Sequence, residues 1–282
     1  TVFAQVVAER LGVPFEAVRI VMGDTDKVAK GVGTFASRSM VRAGSAAAEV
    51  VDLAIALGKN MAAHVMEASA ADIEYASGAF RVAGTDRSIG IFEVARAAEA
   101  GDLPPSLGKT LSAAKMHENP AFAFANGCEV CEVEVDPETG VVQILALSVV
   151  DDSGCAVNPA VVHGQMHGAI AQGVGQAMFE RTVYDPVTGQ LLSGSFMDYA
   201  VPRADEIPSI PIVSHDVPSP TNILGVKGAG EGGTVGTPAA LIHAILDALA
   251  PLGVDHLDMP ATPERVWRAI CQSRCAREET AR

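Results

Sequence analysis

The strongest constraint on the fold is a pair of long alternating segments on either side of a turn. Hydrophobic and polar residues alternate over 121–135 and again over 141–150, with Asp136-Pro137-Glu138-Thr139-Gly140 between them. A period of two places successive side chains on opposite faces of a strand, and Asp, Pro and Gly are typical of turns. The sequence therefore predicts an antiparallel hairpin with one face against a core.

Helical patterns occur on both sides of this hairpin. The sequence predicts helices that end at Leu11, that cover 40–67, 91–98 and 159–179, and that begin at Thr237-Pro238 and Thr262-Pro263. It predicts short strands over 18–22, 73–75, 80–82 and 210–213, and a second hairpin turn at 185–189. These elements lack the strand–helix–strand rhythm of a parallel sheet. We therefore predict an α+β fold of two packed mixed α/β subdomains, covering 1–110 and 111–282.

Composition excludes two classes of function. The 20 Lys and Arg against 34 Asp and Glu give a net charge of −14, which does not supply the positive surface that nucleic acids require. No window approaches the roughly 18 uninterrupted apolar residues of a membrane span, and no basic and apolar leader opens the chain. We expect a cytoplasmic protein with no membrane span and no nucleic-acid partner.

The five cysteines do not form a recognisable metal site or disulfide framework. Cys128 and Cys131 are an odd number of positions apart in a predicted strand, so their side chains would point to opposite faces. Cys271 and Cys275 lie one helical turn apart, but no second pair at zinc or iron–sulfur spacing follows. We expect reduced cysteines that act as small buried hydrophobic residues, with no metal ligand among them.

A glycine-rich segment holds a lone carboxylate. The run Gly228-Ala229-Gly230-Glu231-Gly232-Gly233 matches the GxGxxG dinucleotide motif, but a pyrophosphate there would face Glu231. No second strand ending in an acidic residue follows at the expected distance either. Two interpretations of Glu231 remain from the residues alone: a helix cap or dipole partner, which the composition favours, and a catalytic base.

Two further segments carry candidate chemistry. His163 and His167 have the i, i+4 spacing of metalloprotease ligands, but Gly164 stands where the required Glu belongs, which favours ordinary polar packing. The segment 33–39 combines small hydroxyls, a cation and free backbone N–H groups, a set suited to an anion. A helix N-cap at Ser37 or Ser39 would explain that segment equally well.

Motifs spread over nearly the whole chain carry a family resemblance. They are Thr1-Val2-Phe3-Ala4-Gln5, Gly23-Asp24-Thr25-Asp26, the segment 33–39, Glu132-Val133-Glu134-Val135 with the turn after it, Asn158-Pro159, Gly164-Gln165, Gln172-Gly173-Val174-Gly175-Gln176, Lys227 to Gly233, and Thr262 to Val266. In this order they resemble the molybdenum-binding subunit of the xanthine oxidase family. The resemblance is strongest to the large chain of molybdenum hydroxylases of the aerobic carbon monoxide dehydrogenase type.

The resemblance implies a molybdenum–molybdopterin cofactor, in bacteria the cytosine dinucleotide form. The residues that it implies for cofactor binding are Gly33, Thr34, Phe35, Ala36, Ser37, Arg38, Ser39, Gln165, Lys227, Gly228 and Gly230. It implies that Glu231 is the general base, which takes a proton from a molybdenum-bound hydroxide attacking a small-molecule substrate. The implied enzyme is an oxidoreductase that hydroxylates or dehydrogenates carbon monoxide, aldehydes or N-heterocycles. For Glu231, the resemblance therefore favours the catalytic base over the helix cap.

The resemblance covers only the C-terminal part of such a subunit, and the chain begins at Thr1 inside a predicted amphipathic helix. We therefore expect a truncated fragment or a split subunit. Its implied partners are the upstream half of the molybdenum subunit, an iron–sulfur subunit with [2Fe-2S] clusters and an FAD subunit. Two alternatives stay open: a noncatalytic scaffold of such a complex, and a nicotinamide-dependent dehydrogenase that uses the glycine motif.

Overall fold

The computed structural model describes residues 1–28, 31, 33–118 and 121–280, and the chain divides into two compact units. The first unit comprises Thr1–Ala123 and Pro218–Val226, and the second comprises Phe124–Val217 and Lys227–Arg282. The sequence predicts a division at residue 110, whereas the structure has it between Ala123 and Phe124, with a short return to the first unit at 218–226.

The later boundary has a physical reason in the irregular segment after residue 100. Leu103 is buried in the hydrophobic core of the first unit, and Leu107 and Leu111 pack against that core. Lys115 and His117 then pair with the carboxylate of Glu49, at 2.8 Å from Nζ and 3.0 Å from Nδ1. This segment has no periodic pattern, so the sequence alone gives no sign of the core that it joins.

The described part of the first unit is a small mixed α/β structure. Its elements are α1 (Val2–Leu11), a π-helical turn (Met40–Gly44) that continues into α2 (Ser45–Val65), the strands β1 (Ile73–Ala76), β2 (Ala79–Val82) and β3 (Ser88–Gly90), and α3 (Ile91–Ala100). The strands form an antiparallel sheet in chain order. Phe80 is fully buried, and its ring lies so close to Gly58 of α2 that a Cβ there would overlap with Phe80 Cζ.

The predicted strand over 18–22 is wrong. The structure has no strand there, and Ile20, Val21 and Met22 are exposed. β-Branched residues fit an extended backbone, but a strand also needs a partner for its backbone hydrogen bonds, and this segment has none in the described structure.

The second unit is built on the predicted hairpin, which is confirmed. β4 (Asn126–Val135) pairs antiparallel with β5 (Val142–Asp152), from Asn126 opposite Asp152 to Val135 opposite Val142. The short strand β6 (Ile212–Ser214) then pairs parallel with β5. In the turn, the carboxylate of Asp136 accepts hydrogen bonds from the Glu138 N–H and the Thr139 hydroxyl.

Three α-helices complete the described second unit: α4 (Pro159–Val174), which continues as a π-helical turn (Gly175–Phe179), α5 (Gly232–Leu249), which is followed by a 3-10 turn (Ala250–Leu252), and α6 (Pro263–Thr280). Leu147, Met166, Ile170 and Leu241 form one buried core. Helices, antiparallel pairs and one parallel pair thus occur together, and the predicted α+β class is confirmed.

One local prediction in this unit is wrong. The helix predicted to begin at Thr237 begins at Gly232, and Pro238 lies inside it. Gly233 lets the start of the helix pack closely on α4, and Thr237 is buried and donates to Glu129 Oε2 at 2.6 Å instead of capping. The second predicted hairpin turn, at 185–189, is present: the Asp185 carboxylate holds the turn, and an antiparallel bridge joins Tyr184 to Leu191 on either side of it.

Among the residues that the structure describes, Gly232–Leu252 is the one helix long and apolar enough to cross a membrane by length and composition. Leu241 is buried in the core that it shares with Leu147, Met166 and Ile170. Ile245 and Leu249 are buried in another core of the second unit, together with Val266 of α6. Core helices of soluble proteins pass the same test, so these properties alone do not indicate a membrane span.

Candidate functional site

In the first unit, the segment 33–39 is irregular and leads directly into the π-helical turn before α2. Gly33 has a φ of 80°, and Ala36 and Ser37 follow with φ values of 52° and 48°. Two successive non-glycine residues in the left-handed region are strained by about 1–3 kcal/mol each, and such strain concentrates at ligand sites. The surrounding structure holds this loop in a conformation that its residues disfavour.

The side chains of this loop leave one polar atom without a partner. The Ser37 Oγ is buried and makes no hydrogen bond within the described structure. The Thr34 and Ser39 hydroxyls pair with each other at 2.7 Å, and the Arg38 guanidinium lies 3.5 Å from the centre of the Phe35 ring. Ser39 precedes the π-helical turn but makes no capping bond. The capping alternative is thus not realised by Ser39, and an unpaired buried hydroxyl costs about 1–3 kcal/mol.

In the second unit, α4 begins at Asn158, whose side chain accepts from the Val161 N–H at 3.1 Å. Gln165 lies exposed in its second turn, and a Cβ added to the neighbouring Gly164 would meet nothing within 4 Å. The side-chain amide of Gln165 is therefore open to a ligand, to which it can both donate and accept hydrogen bonds.

The two histidines of α4 lie side by side. Their ring centres are 6.4 Å apart, and His167 Nδ1 is 2.9 Å from the His163 carbonyl oxygen, to which it donates. No group of three potential metal ligands occurs among the described residues. The pair has the polar local contacts expected for a helix surface.

Glu231 occupies the N-cap position of α5, but its side chain makes no capping hydrogen bond and is exposed. Glu231 thus stands at the N-cap position, as the cap alternative expects, but its carboxylate makes no capping bond and is available to a ligand. The carboxylate can thus accept a proton or a hydrogen bond from a ligand.

The start of α5 lies against the middle of α4 within this unit. A Cβ on Gly232, next to Glu231, would be 3.0 Å from Met166 Cε, and Met166 follows Gln165. Thr234 Oγ1 also donates to the Ala169 carbonyl at 2.9 Å. The predicted residues Gln165 and Glu231 are consequently held on neighbouring elements. The predicted residues 33–39 belong to the first unit.

The sequence interpretation missed the buried carboxylate of Asp152, at the end of β5. It accepts hydrogen bonds from Lys227 Nζ at 2.5 Å and from the N–H groups of Gly154 and Val217, each at 3.0 Å. Burial acts to raise the pKa of Asp152, but these hydrogen bonds and the lysine charge lower it to about 2. The ammonium of Lys227, predicted to bind cofactor, is paired here. The only sequence signal was an acidic pair at a strand end.

Two further carboxylates beside α5 have a pKa that is raised rather than lowered. Burial raises the pKa of Glu129, although the Thr237 hydroxyl donates to it, and burial likewise raises the pKa of Asp151. The charge of Asp151 adds to the increase at Glu129. Asp151 is buried, whereas Glu129 is partly exposed and accepts from the Thr237 hydroxyl of α5.

We predict that the Asp152–Lys227 pair makes the stability of the chain dependent on acid pH. A pKa lowered from 3.8 to about 2 contributes free energy of unfolding above pH 4 and loses it as the pH falls to 2. The contribution is on the order of 2 kcal/mol. Thermal unfolding of the wild type and of Asp152→Asn will differ most near neutral pH and least near pH 2. A difference that is constant with pH would contradict this role.

Comparison with known proteins adds an independent observation. A family model described as the molybdopterin cofactor-binding domain matches residues 1–208. The chain belongs to this family. It is 38% identical over 281 residues to the 6-hydroxypseudooxynicotine dehydrogenase complex subunit gamma of Paenarthrobacter nicotinovorans, covering 98% of this chain and 34% of that protein.

Two more comparisons agree with this molybdopterin-binding family. The chain is 33% identical over 270 residues to the carbon monoxide dehydrogenase large chain of Hydrogenophaga pseudoflava, covering 96% of this chain and 34% of that one. The crystal structure of a Cu,Mo-CO dehydrogenase superposes with a TM-score of 0.89 at 33% identity, over 97% of this chain and 34% of that one. The resemblance found in the sequence is thereby confirmed, and the chain spans about a third of the length of these relatives.

Proposed function

We propose that this chain is the C-terminal molybdenum-cofactor domain of a molybdenum hydroxylase or dehydrogenase, with Glu231 as its catalytic base. One observation carries the proposal: a strained loop with the buried, unpartnered Ser37 hydroxyl occurs in a chain that also presents an uncapped carboxylate at Glu231. Both features are unfavourable or idle without a ligand. A family of molybdopterin-binding domains supplies the ligand that would use them.

The residues present fit such a cofactor. In the first unit, the Ser37 hydroxyl suits an anionic oxygen of such a group, and in the second unit, the Gln165 amide suits one of its polar edges. Gly228 and Gly230 have no side chain to obstruct a close approach of their backbone. When bound, a molybdenum–molybdopterin group supplies the two-electron acceptor for oxidation of an electron-poor carbon.

In this proposal Glu231 accepts and holds the proton released as the new carbon–oxygen bond forms. An exposed carboxylate without a capping bond can do this without first losing a protein partner. Positioned proton transfer of this kind contributes about 10²- to 10⁴-fold to rates. The alternative of a noncatalytic scaffold would have no use for this free carboxylate.

The substrate, further cofactors and partners belong to the same proposal. Relatives named for carbon monoxide and for 6-hydroxypseudooxynicotine support a small-molecule substrate, for which we keep carbon monoxide, an aldehyde or an N-heterocycle. Because the chain spans a third of these relatives, we propose the upstream half of the subunit as a partner. The iron–sulfur and FAD subunits, the cytosine dinucleotide form and a cytoplasmic location complete the proposal.

The decisive experiment is metal analysis of the complex purified with its natural partners. We expect molybdenum near one atom per chain, together with pterin in the same fractions. Molybdenum near zero in a complex that still contains the chain would overturn the proposal in favour of the scaffold. Bound nicotinamide nucleotide in its place would support the dehydrogenase alternative.

A second prediction concerns Gln165. Gln165→Ala removes both amide hydrogen bonds and leaves a polar group of the cofactor unpaired, at a cost of about 1–3 kcal/mol. We expect lower molybdenum and pterin content together with lower turnover. Gly164→Ala is not a suitable control because it lies beside the same ligand, whereas Gly168→Ala changes the same helix one turn on, with nothing within 4 Å. Full cofactor retention in Gln165→Ala would contradict the assignment.

A further inference from the structure

The carboxylate of Asp152 joins three separate parts of the second unit. It accepts from Gly154 in the turn after β5, from Val217 beyond β6, and from Lys227. Val217 and Lys227 are also the residues at which the chain leaves and re-enters this unit around 218–226. A single buried group therefore fixes both ends of that excursion.

Lys227 is attached to the same turn twice. Its side chain reaches Asp152, and its backbone N–H donates to the Ser153 carbonyl at 2.8 Å. Both side chains of the ion pair are largely buried, with exposed fractions of 10% for Lys227 and 12% for Asp152. A buried pair with further hydrogen bonds on the carboxylate is a fixed point, unlike an exposed pair.

The residues between this fixed point and the helix have no side-chain anchor of their own. Gly228, Ala229 and Gly230 carry no polar side chain, and Glu231 makes no capping bond. Polyglycine-like backbone is conformationally free, so its course is set by its two ends. One end is Lys227, and the other is the first turn of α5, where Thr234 donates to Ala169.

We propose that Asp152 and Lys227 are positioning residues for Glu231, which fix the backbone that carries it without touching the ligand. This inference rests on the proposed function of Glu231, and it reassigns Lys227 from cofactor binding to loop positioning. A displacement of about 1 Å of a catalytic group can lower the rate about 10²-fold. Loss of the pair should therefore reduce turnover while the cofactor stays bound.

The test compares Lys227→Met, Asp152→Asn and Lys227→Arg in the complex purified with its partners. The first readout is hydrogen–deuterium exchange of peptides covering 226–235, compared with peptides from α4. We expect the first two variants to exchange about 10-fold faster at 228–233 with little change in α4, and Lys227→Arg to restore much of the protection. Arg268→Met, which breaks an exposed pair with Glu264 on α6, is the matched control and should change neither.

The second readout is molybdenum content, and the third is turnover of whichever of carbon monoxide, an aldehyde or an N-heterocycle the wild type oxidises with an artificial electron acceptor. We expect unchanged molybdenum, a value of kcat lowered about 10- to 100-fold, and little change in KM. The double variant should be no slower than the slower single one, since both changes remove the same pair. If Lys227→Met does not fold, the milder substitution Asp152→Asn tests the positioning role in its place.

Three results would overturn the inference. Loss of molybdenum in Lys227→Met but not in Asp152→Asn would mean that Lys227 contacts the cofactor. Unchanged exchange at 228–233 in both variants would mean that the pair does not order the loop. Faster exchange spread over α4 as well would mean general destabilisation. If Glu231→Gln proved fully active, the proposed role of Glu231 as a base would be refuted. The exchange measurement would still decide whether the Asp152–Lys227 pair orders the loop.

Discussion

Glu231→Gln in the molybdenum-loaded complex will keep its molybdenum and pterin and lose turnover by roughly 10²- to 10⁴-fold. The amide is nearly the same size as the carboxylate, and Glu231 makes no capping bond that the change would break. What the amide cannot do is accept the proton. Equal losses in kcat and kcat/KM, with metal content unchanged, would identify an interaction that is made only in the transition state.

Glu264→Gln is a suitable control for this experiment. Glu264 is also an exposed carboxylate in the first turn of a helix, α6, and it pairs with Arg268 at 2.6 Å. Its replacement tests the loss of a negative charge at a helix N-terminus away from the proposed site. Near-normal turnover of Glu231→Gln would refute the base assignment. Comparable losses in both variants would attribute the effect to charge in general.

The elements that the sequence predicts well are those specified locally. The hairpin around Asp136 is determined by alternation and by a turn whose side chains bond their own backbone. The helix from Pro263 begins at a Thr-Pro signal, as predicted. The same signal misleads at Thr237, because that side chain is buried against Glu129, a residue distant in the sequence. A local pattern cannot report that contact.

The candidate site divides in the same way. Glu231 and the loop 33–39 are recognisable from glycines, hydroxyls and a lone acid, and from the resemblance that they carry. Asp152 is not, because its importance comes from Lys227, which is 75 positions away along the chain. The return of 218–226 to the first unit is hidden for the same reason. Contacts between distant residues decide these features, and no single segment contains them.

The second large effect will come from Gly233→Ala, which adds one methyl group where α4 and α5 meet. A Cβ at Gly233 would lie 2.6 Å from the Ile170 backbone nitrogen and 3.0 Å from the Ala169 carbonyl carbon. Because these are backbone atoms of a helix, no side-chain rotation relieves the overlap, and the two helices have to move apart. We expect a loss of about 1–3 kcal/mol in the free energy of unfolding, and a melting temperature lower by roughly 2–4 °C per kcal/mol.

The matched control for this substitution is Gly168→Ala on α4. A Cβ there would meet nothing within 4 Å, so alanine should stabilise the helix by about 0.5–1 kcal/mol. Opposite signs for the same chemical change would locate the effect at the helix contact. The separation of the helices also moves Glu231, two residues before Gly233, relative to Gln165 on α4. Gly233→Ala should therefore lower turnover of the folded complex as well, whereas a stable and fully active variant would show that the helix contact does not set the spacing of the site.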